Sequence, residues 1–284
     1  TAEAPAAAAR PRFVDWDYES SPFDSYLSCY CERCLKAFRA HAELPAEIDL
    51  APESIHAKHG ELWVDFMTTR NAEVAERFRQ VANEAGARFS MYSGYQSRDT
   101  QHRYGVDWRK IGRRRAADHV GCGYGRSREL IDATMAALDG IPLTIGILMH
   151  PYDVNLRRPL LPLSKARVLR SAADATGGIL LYDRMSIDGR AWWSLAEISR
   201  LVSDYEDVFA EGIASSELAT VEPAEEPGFV VKRHGKTALA LLMNLEGKEK
   251  MYRLAMKPEI VQTAKRYYGG SEIDPKAPAE IILP

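Results

Sequence analysis

The chain alternates short apolar runs with segments whose apolar residues recur at helical spacing. Nearly continuous apolar runs are typical of parallel strands buried on both faces, and the helical spacing is typical of helices packed on them. Five such strand–helix pairs follow one another up to about residue 209. The predicted strands are Arg12–Asp17, Phe89–Tyr95, Asp118–Gly123, Leu143–Met149 and Ile179–Asp183; the predicted helices include Leu35–His41, an apolar stripe from Leu62 to Val81 that ends at Gly86, Trp108–Arg114, Ser127–Leu138, Lys165–Thr176 and Trp192–Phe209.

After about residue 213 the helical period disappears. Short runs separated by turn residues replace it, which predicts antiparallel strands. We therefore expect a TIM-barrel-like (β/α) domain over residues 1–213 and a small β-sandwich-like domain over residues 214–284. The predicted strands of the second domain are Gly228–His234, Thr237–Asn244, Lys250–Met256 and Ala279–Leu283.

Two α/β architectures accommodate five strand–helix units. A doubly wound sheet would carry a glycine-rich phosphate loop after its first strand, and the chain has no such motif there, so we expect no organic cofactor. Polar and aromatic residues instead follow strand after strand, as at the active end of a (β/α)8 barrel. The sequence therefore predicts a partial TIM-barrel-like fold followed by a C-terminal antiparallel β-domain. The residues after the strands are Asp17, Glu19, Tyr95, Gln96, Tyr124, His150, Tyr152, Asp153, Asp183 and Arg184.

Composition argues against several classes of function. A formal net charge of −3 gives no electrostatic case for a nucleic acid or an anionic membrane as partner. No apolar run approaches the roughly 18 residues that a membrane helix needs. The first residues lack the basic and apolar regions of a signal peptide, which predicts a cytoplasmic protein. The chain also starts without Met, so we expect a processed or partial chain.

The first predicted strand carries three carboxylates at alternate positions, Asp15, Asp17 and Glu19. A spacing of two along a strand points all three to one face. Carboxylates are rarely buried unless they are paired, metal-bound or catalytic. The pattern favours a site that handles protons on a sugar; the structural alternative is a salt-bridge or metal network that caps the strand.

Three of the four cysteines, Cys29, Cys31 and Cys34, lie within six residues. This spacing suits mutual disulfides poorly, but three thiolates can surround one zinc ion. Reduced thiols without a metal and redox chemistry are the alternatives. The fourth zinc ligand would be a water, a nearby acid such as Glu32 or a cysteine absent from this chain, because Cys122 lies in an apolar strand and is interpreted as a small core residue.

Three segments together resemble the fourth-strand region of glycoside hydrolase family 42, whose members are (β/α)8 β-galactosidases of clan A. They are DYE at residues 17–19, CYCERC at 29–34 and the LWxxF pattern at 62–66. The resemblance implies that Glu19 is the general acid/base and that the three cysteines bind a structural zinc. It is specific over about residues 13–66 and only architectural beyond them. Tyr18 stands where the family has Asn.

The same resemblance implies that the chain corresponds to strands four to eight of a barrel. We expect the first three units to come from a longer chain, another fragment or a second copy, since an open parallel edge is hard to keep soluble. The partner prediction is thus a homo-oligomer or complementation by an N-terminal segment. The family nucleophile is a Glu at the end of strand seven, where this chain has no Glu; Asp153 is the candidate to replace it as nucleophile or base, and a loop cap is the alternative role for this residue.

The pattern Asp15-x-Asp17-x-Glu19 also resembles the acidic strand of chitinase-like family 18 enzymes. In those enzymes the Glu is the acid, the preceding Asp orients the acetamido group of the substrate, and no protein nucleophile is needed. Three classes of function remain: a glycoside hydrolase, a carbohydrate-binding or degenerate barrel, and a structural assembly subunit. The candidate substrate-binding residues are Asp15, Tyr95, Tyr124, His150, Tyr152 and Asp183.

Overall fold

The structure is a computed structural model that describes most of the chain. The described residues are 12–19, 22–23, 29–123, 127–148, 161–182, 189–224, 228–245, 248–267 and 270–283.

A five-stranded sheet organises the α/β part of the chain, and its strands are neighbours in the same order as along the chain. The first four strands pair in parallel. A doubly wound sheet would reverse its strand order at a switch point, and this order has no reversal. The predicted partial TIM-barrel-like fold with about five units is therefore confirmed. The strands are β1 (Phe13–Asp17), β2 (Arg88–Ser93), β3 (His119–Cys122), β4 (Leu143–Leu148) and β5 (Gly178–Tyr182).

Helices follow the strands, and most begin and end within a few residues of their predicted bounds. The predicted helix Trp192–Phe209 is two helices, because Tyr205 interrupts it. Two short helices, at residues 52–58 and 98–104, had no prediction. The helices are α1 (Glu32–His41), α2 (Pro52–Lys58), α3 (Gly60–Glu84), α4 (Arg98–Tyr104), α5 (Trp108–Arg114), α6 (Arg128–Leu138), α7 (Leu161–Asp174), α8 (Gly189–Asp204) and α9 (Glu206–Glu211).

The apolar stripe of α3 is buried at Trp63 and Phe66 and exposed at several other positions. Trp63 and Phe66 are buried in a cluster to which α1 contributes Phe38. Farther along the helix, Val74 and Val81 are exposed by 40% and 61%. In this part of the helix Phe78 contacts Trp16 of β1, which is the edge strand of the sheet within the described part of the chain.

The chain divides into two compact units, Thr1–Gly146 and Ile147–Pro284, and the boundary falls inside β4. The second unit contains antiparallel sheets, which confirms the C-terminal β part of the fold. The domain boundary near residue 213 stays a prediction. Among the described residues, no helix has the length and apolar character needed to cross a membrane. The C-terminal strands are β6 (Ile213–Ala214), β7 (Ala219–Glu222), β8 (Phe229–His234), β9 (Thr237–Leu242), β10 (Lys250–Met256), β11 (Ala264–Lys265), β12 (Glu272–Ile273) and β13 (Ala279–Leu283).

Asp118, just before β3, ties the first strands to α3. Its carboxylate accepts a hydrogen bond from the backbone N–H of Phe89 at 2.9 Å and one from Nε of Arg79 at 2.8 Å. Partial burial of the Asp118 carboxyl raises its pKa, but these two bonds outweigh that effect and hold the pKa below its ordinary value.

We expect Asp118→Asn to lower the free energy of unfolding by about 1.5–3 kcal/mol at pH 7, because a charged acceptor of two hydrogen bonds is lost. A lowered folded-state pKa stabilises the fold above the unfolded-state pKa of about 3.9, and the effect disappears as the pH falls through the folded-state pKa. The deficit measured by urea unfolding should therefore shrink between pH 7 and pH 3. Asp99→Asn, at an exposed ion pair of α4, is the control and should change little. An equal deficit at both pH values would contradict this account.

Candidate functional site

The three carboxylates of the first strand share one face of the sheet. Trp16, between the two aspartates, packs its ring against Phe78 of α3 with centroids 5.1 Å apart. Because side chains alternate along a strand, Asp15 and Asp17 point away from α3, and both are exposed. In a (β/α)8 barrel the helices cover the outer face, and the opposite face lines the interior. We call this surface the acidic face.

Tyr18 fixes the end of β1 immediately before Glu19. Its backbone N–H donates to the carbonyl of Tyr92 at 3.0 Å, so pairing with β2 continues past the end of the strand. Its side chain hydrogen-bonds Asn71 of α3; burial raises the pKa of Tyr18, and that bond opposes the rise. Tyr18 thus lies on the helix side, and the exposed Glu19 follows on the acidic face.

One row across the acidic face contains a hydrogen-bonded histidine, His119. Asp15 lies in register with Ser90, and Ser90 with His119. The two ring nitrogens of His119 lie 3.3 Å from Oγ of Ser90 and 2.8 Å from Oγ1 of Thr144. His119 is therefore held from both sides, as expected of a structural histidine.

The next row toward the carboxyl ends contains Asp17, Tyr92 and Gly121 in register. The Tyr92 ring lies across β3: a Cβ atom added to Gly121 would be 3.1 Å from Cδ2 of Tyr92, and one added to Gly123 would be 1.8 Å from its hydroxyl oxygen. Any side chain at Gly123 would displace this ring. Sequence reasoning missed Tyr92, which looked like one more apolar position of a buried strand; the two glycines were the available signal.

The other predicted site residues fall into two groups. Tyr95 lies just beyond β2 and is 4% exposed, within the core. Its role in substrate binding stays a prediction, as do the catalytic roles of Asp17 and Glu19 and the binding role of Asp15. The remaining candidates lie outside the described residues: Tyr124, His150, Tyr152, Asp153 and Asp183.

The three clustered cysteines form a candidate metal centre. Cys31 is the N-cap residue of α1, and the buried Cys34 lies in its first turn. The sulfur atoms of these two residues and Cys29 all lie within 4.8 Å of one another. A Zn–S bond of about 2.3 Å in tetrahedral geometry places sulfur atoms ~3.8 Å apart, so a small contraction would suit this donor set to a metal ion.

Hydrogen bonding favours the thiolate form of Cys31. The bond with Cys29 lowers the pKa of Cys31 to about 7 and raises that of Cys29. A fraction of Cys31 is thus thiolate at neutral pH, which is the form that binds metal. Arg70 of α3 donates to the sulfur of Cys34 at 2.9 Å.

The identity of a fourth ligand is not resolved within the described part of the chain. There, no further His, Cys, Asp or Glu joins the group, and Glu32 is not a member. Cys122 is fully buried in β3, as predicted for a core residue, and burial raises the pKa of its thiol well above the ordinary value.

Comparison with known proteins adds little to this picture. No model of a known protein family matches the chain, and no curated protein matches it. Among solved structures, one match is a chitinase from Chromobacterium violaceum ATCC 12472, with 11% identity and a TM-score of 0.34 over 68% of this chain and 92% of that one. A likeness at this level does not establish a shared fold or a shared function. The fold and the site therefore define a class only: a TIM-barrel-like α/β protein with an acidic strand end and a three-cysteine cluster. The resemblance to family 42 stays a prediction.

We expect the purified protein to contain close to one equivalent of bound metal, measured by plasma mass spectrometry after dialysis. Cys31→Ser removes an exposed thiol and should reduce the metal content and the melting temperature together. Cys122→Ala is the control: it removes a buried thiol outside the cluster, so stability should fall while metal content is unchanged. A wild-type metal content near zero with reduced thiols would contradict a metal centre.

Proposed function

We propose that this protein is a glycoside hydrolase of β-galactosidase-like type, in which Glu19 is the general acid/base. The supporting observation is the acidic face, on which Asp15 and Asp17 point away from α3 and Glu19 follows at the carboxyl end of β1. Catalytic residues of TIM-barrel enzymes lie at this end of the strands. The family 42 resemblance assigns the acid/base role to the same residue.

In the proposed reaction, the carboxyl group of Glu19 gives a proton to the glycosidic oxygen as the bond to the leaving group breaks. If the configuration is retained, the second carboxyl group attacks the anomeric carbon as this bond breaks, and the Glu19 carboxylate then removes a proton from the water that releases the sugar. If it is inverted, the second carboxyl group removes the proton from the attacking water. The second carboxyl group is Asp153 in this proposal. A separation of about 5 Å between the two groups would lead to retention of configuration, and a wider one to inversion.

A substrate-assisted hydrolase is the second candidate, and one observation favours it. Asp15, Asp17 and Glu19 follow one another on a single face, as in the acidic strand of chitinase-like enzymes. That chemistry uses the acetamido group of the substrate as nucleophile and needs no second carboxylate. A barrel that binds carbohydrate without cleaving it would keep the same face and lack turnover.

We propose that the cysteine cluster holds a structural zinc ion. Cys34 contacts Arg70 of α3, whereas the acids point away from α3. The metal would thus stabilise the segment that follows the acid/base and would take no part in proton transfer. Removing it should reduce stability before it changes the chemistry at Glu19.

Glu19→Gln should lower kcat by about 10²–10⁴-fold, because proton transfer to the leaving group is lost. Turnover is measured on aryl β-galactosides and aryl β-N-acetylglucosaminides, which separate the two hydrolase candidates. Glu53→Gln, at an exposed acid in the first turn of α2, is the matched control and should keep wild-type rates. Full turnover by Glu19→Gln would exclude Glu19 as the acid. Binding of a sugar without wild-type turnover would favour the degenerate barrel.

We also propose that a second copy of the chain, or an N-terminal segment, covers the edge formed by β1 and the second half of α3. Val14 and Val81 are exposed there by 43% and 61%. If a second copy covers it, light scattering should give a mass above 31.8 kDa, and Val81→Lys should lower it. Met251→Lys, at a residue of similar exposure in β10, should not. A stable, fully folded monomer would contradict assembly from two copies.

A further inference from the structure

The carboxyl end of the acidic face has two polar groups at the same level along the strands. The row that contains Asp17 and Tyr92 lies two residues nearer the start of the strands than these groups. Two residues farther along β1 is Glu19, and the Tyr92 ring reaches the same distance along β3, since its hydroxyl lies beside Gly123. The backbone ladder extends on both sides to this level, through bonds from Tyr18 to Tyr92 and from Gly123 to Ser93.

The reach between these groups suits a small sugar. Glu19 follows β1, and the Tyr92 hydroxyl lies over β3, two strands away. The backbones of β1 and β3 lie two strand spacings, ~10 Å, apart across the sheet. A ligand whose glycosidic oxygen meets Glu19 would extend over β2 toward the Tyr92 hydroxyl.

Gly121 of β3 and Gly123, which follows it, leave space for the ring of Tyr92. Neither Gly121 nor Gly123 has a positive φ angle, so the backbone conformation does not require glycine at either position. What requires it is the ring of Tyr92, which occupies the space that their Cβ atoms would take. The row below differs, because His119 is held there between Ser90 and Thr144.

We propose that Tyr92 is a ligand-binding residue of this site and that its hydroxyl group hydrogen-bonds a sugar hydroxyl of the substrate bound at Glu19. This inference rests on the proposed function. Tyr92 would fix the position of the sugar relative to the acid, and its contribution would be to binding rather than to proton transfer.

Tyr92→Phe tests the proposal, because it keeps the ring over the glycines and removes only the hydroxyl. The probes are methyl β-D-galactoside, methyl β-D-N-acetylglucosaminide and their monodeoxy analogues, with binding measured by calorimetry. We expect the variant to bind the parent sugar about 3–10-fold more weakly, as for one neutral hydrogen bond. One deoxy analogue should lose the same factor with wild type and nothing further with the variant.

If the affinity losses of the variant and of one deoxy analogue do not add, the Tyr92 hydroxyl contacts the sugar; a purely structural role of Tyr92 would not give this result. If Tyr92→Phe weakens every analogue by the same factor, or changes no affinity, Tyr92 does not contact the ligand and the inference is wrong. Glu19→Gln should reduce kcat and keep the affinity for the sugar. The catalytic role of Glu19 and the binding role of Tyr92 can therefore be contradicted separately. If wild type binds no sugar of either series, the proposed function fails and Tyr92 has no role as a sugar ligand.

A second pair of variants tests the same inference without removing the hydroxyl of Tyr92. Gly123→Ala would place a Cβ at the hydroxyl oxygen and should displace it, which weakens binding as Tyr92→Phe does. Gly121→Ala meets the ring edge at 3.1 Å and requires a shift of only tenths of an ångström, so it is the matched control and should bind nearly as wild type. Equal affinity of both glycine variants and wild type would overturn the inference.

Discussion

The buried indole of Trp63, near the start of α3, is the interaction on which the site depends. Its ring is fully buried, and its N–H donates to the carbonyl of Pro22 at 2.8 Å, in the segment after the acidic strand. Tyr30 stacks on the same ring at 4.8 Å, and Phe38 of α1 meets it edge-on at 4.9 Å. A buried Trp needs a partner for its N–H, so this side chain holds Pro22 as well as packing against α1.

The same helix sets which way the acids face. Phe78 holds Trp16, and Asn71 bonds Tyr18, so two side chains of the acidic segment are held on the α3 side. Because side chains alternate along a strand, Asp15, Asp17 and Glu19 then lie on the opposite face. Because Cys34 contacts Arg70 of α3, the cysteine cluster belongs to the helix side. A metal held there would stabilise the site without sharing its chemistry.

The elements with a strong local signal could be predicted from the sequence, and those set by tertiary contacts could not. The bounds of α5 and β10 match their predictions at both ends, because helical spacing or strand alternation continues up to the turn residues. The stripe of α3 was predicted correctly as apolar, but the exposure of Val74 and Val81 depends on their place at the edge of the sheet. Sequence spacing placed the three acids on one face. It could not show that Tyr92 is in register with Asp17, since pairing between strands 75 residues apart leaves no local trace.

Strand register also places His119 on the acidic face, in the same row as Asp15. His119 could be an acid or a base in isolation, but its nitrogens are engaged by Ser90 and Thr144 in the row that also contains Asp15. Freeing that ring would leave the hydroxyl groups of Ser90 and Thr144 without this partner, which is costly away from water. In the proposed function, proton transfer takes place two rows higher, where Glu19 is exposed and Gly121 and Gly123 make room for Tyr92. The proposed chemistry thus lies at the carboxyl ends of the strands, as in TIM-barrel enzymes.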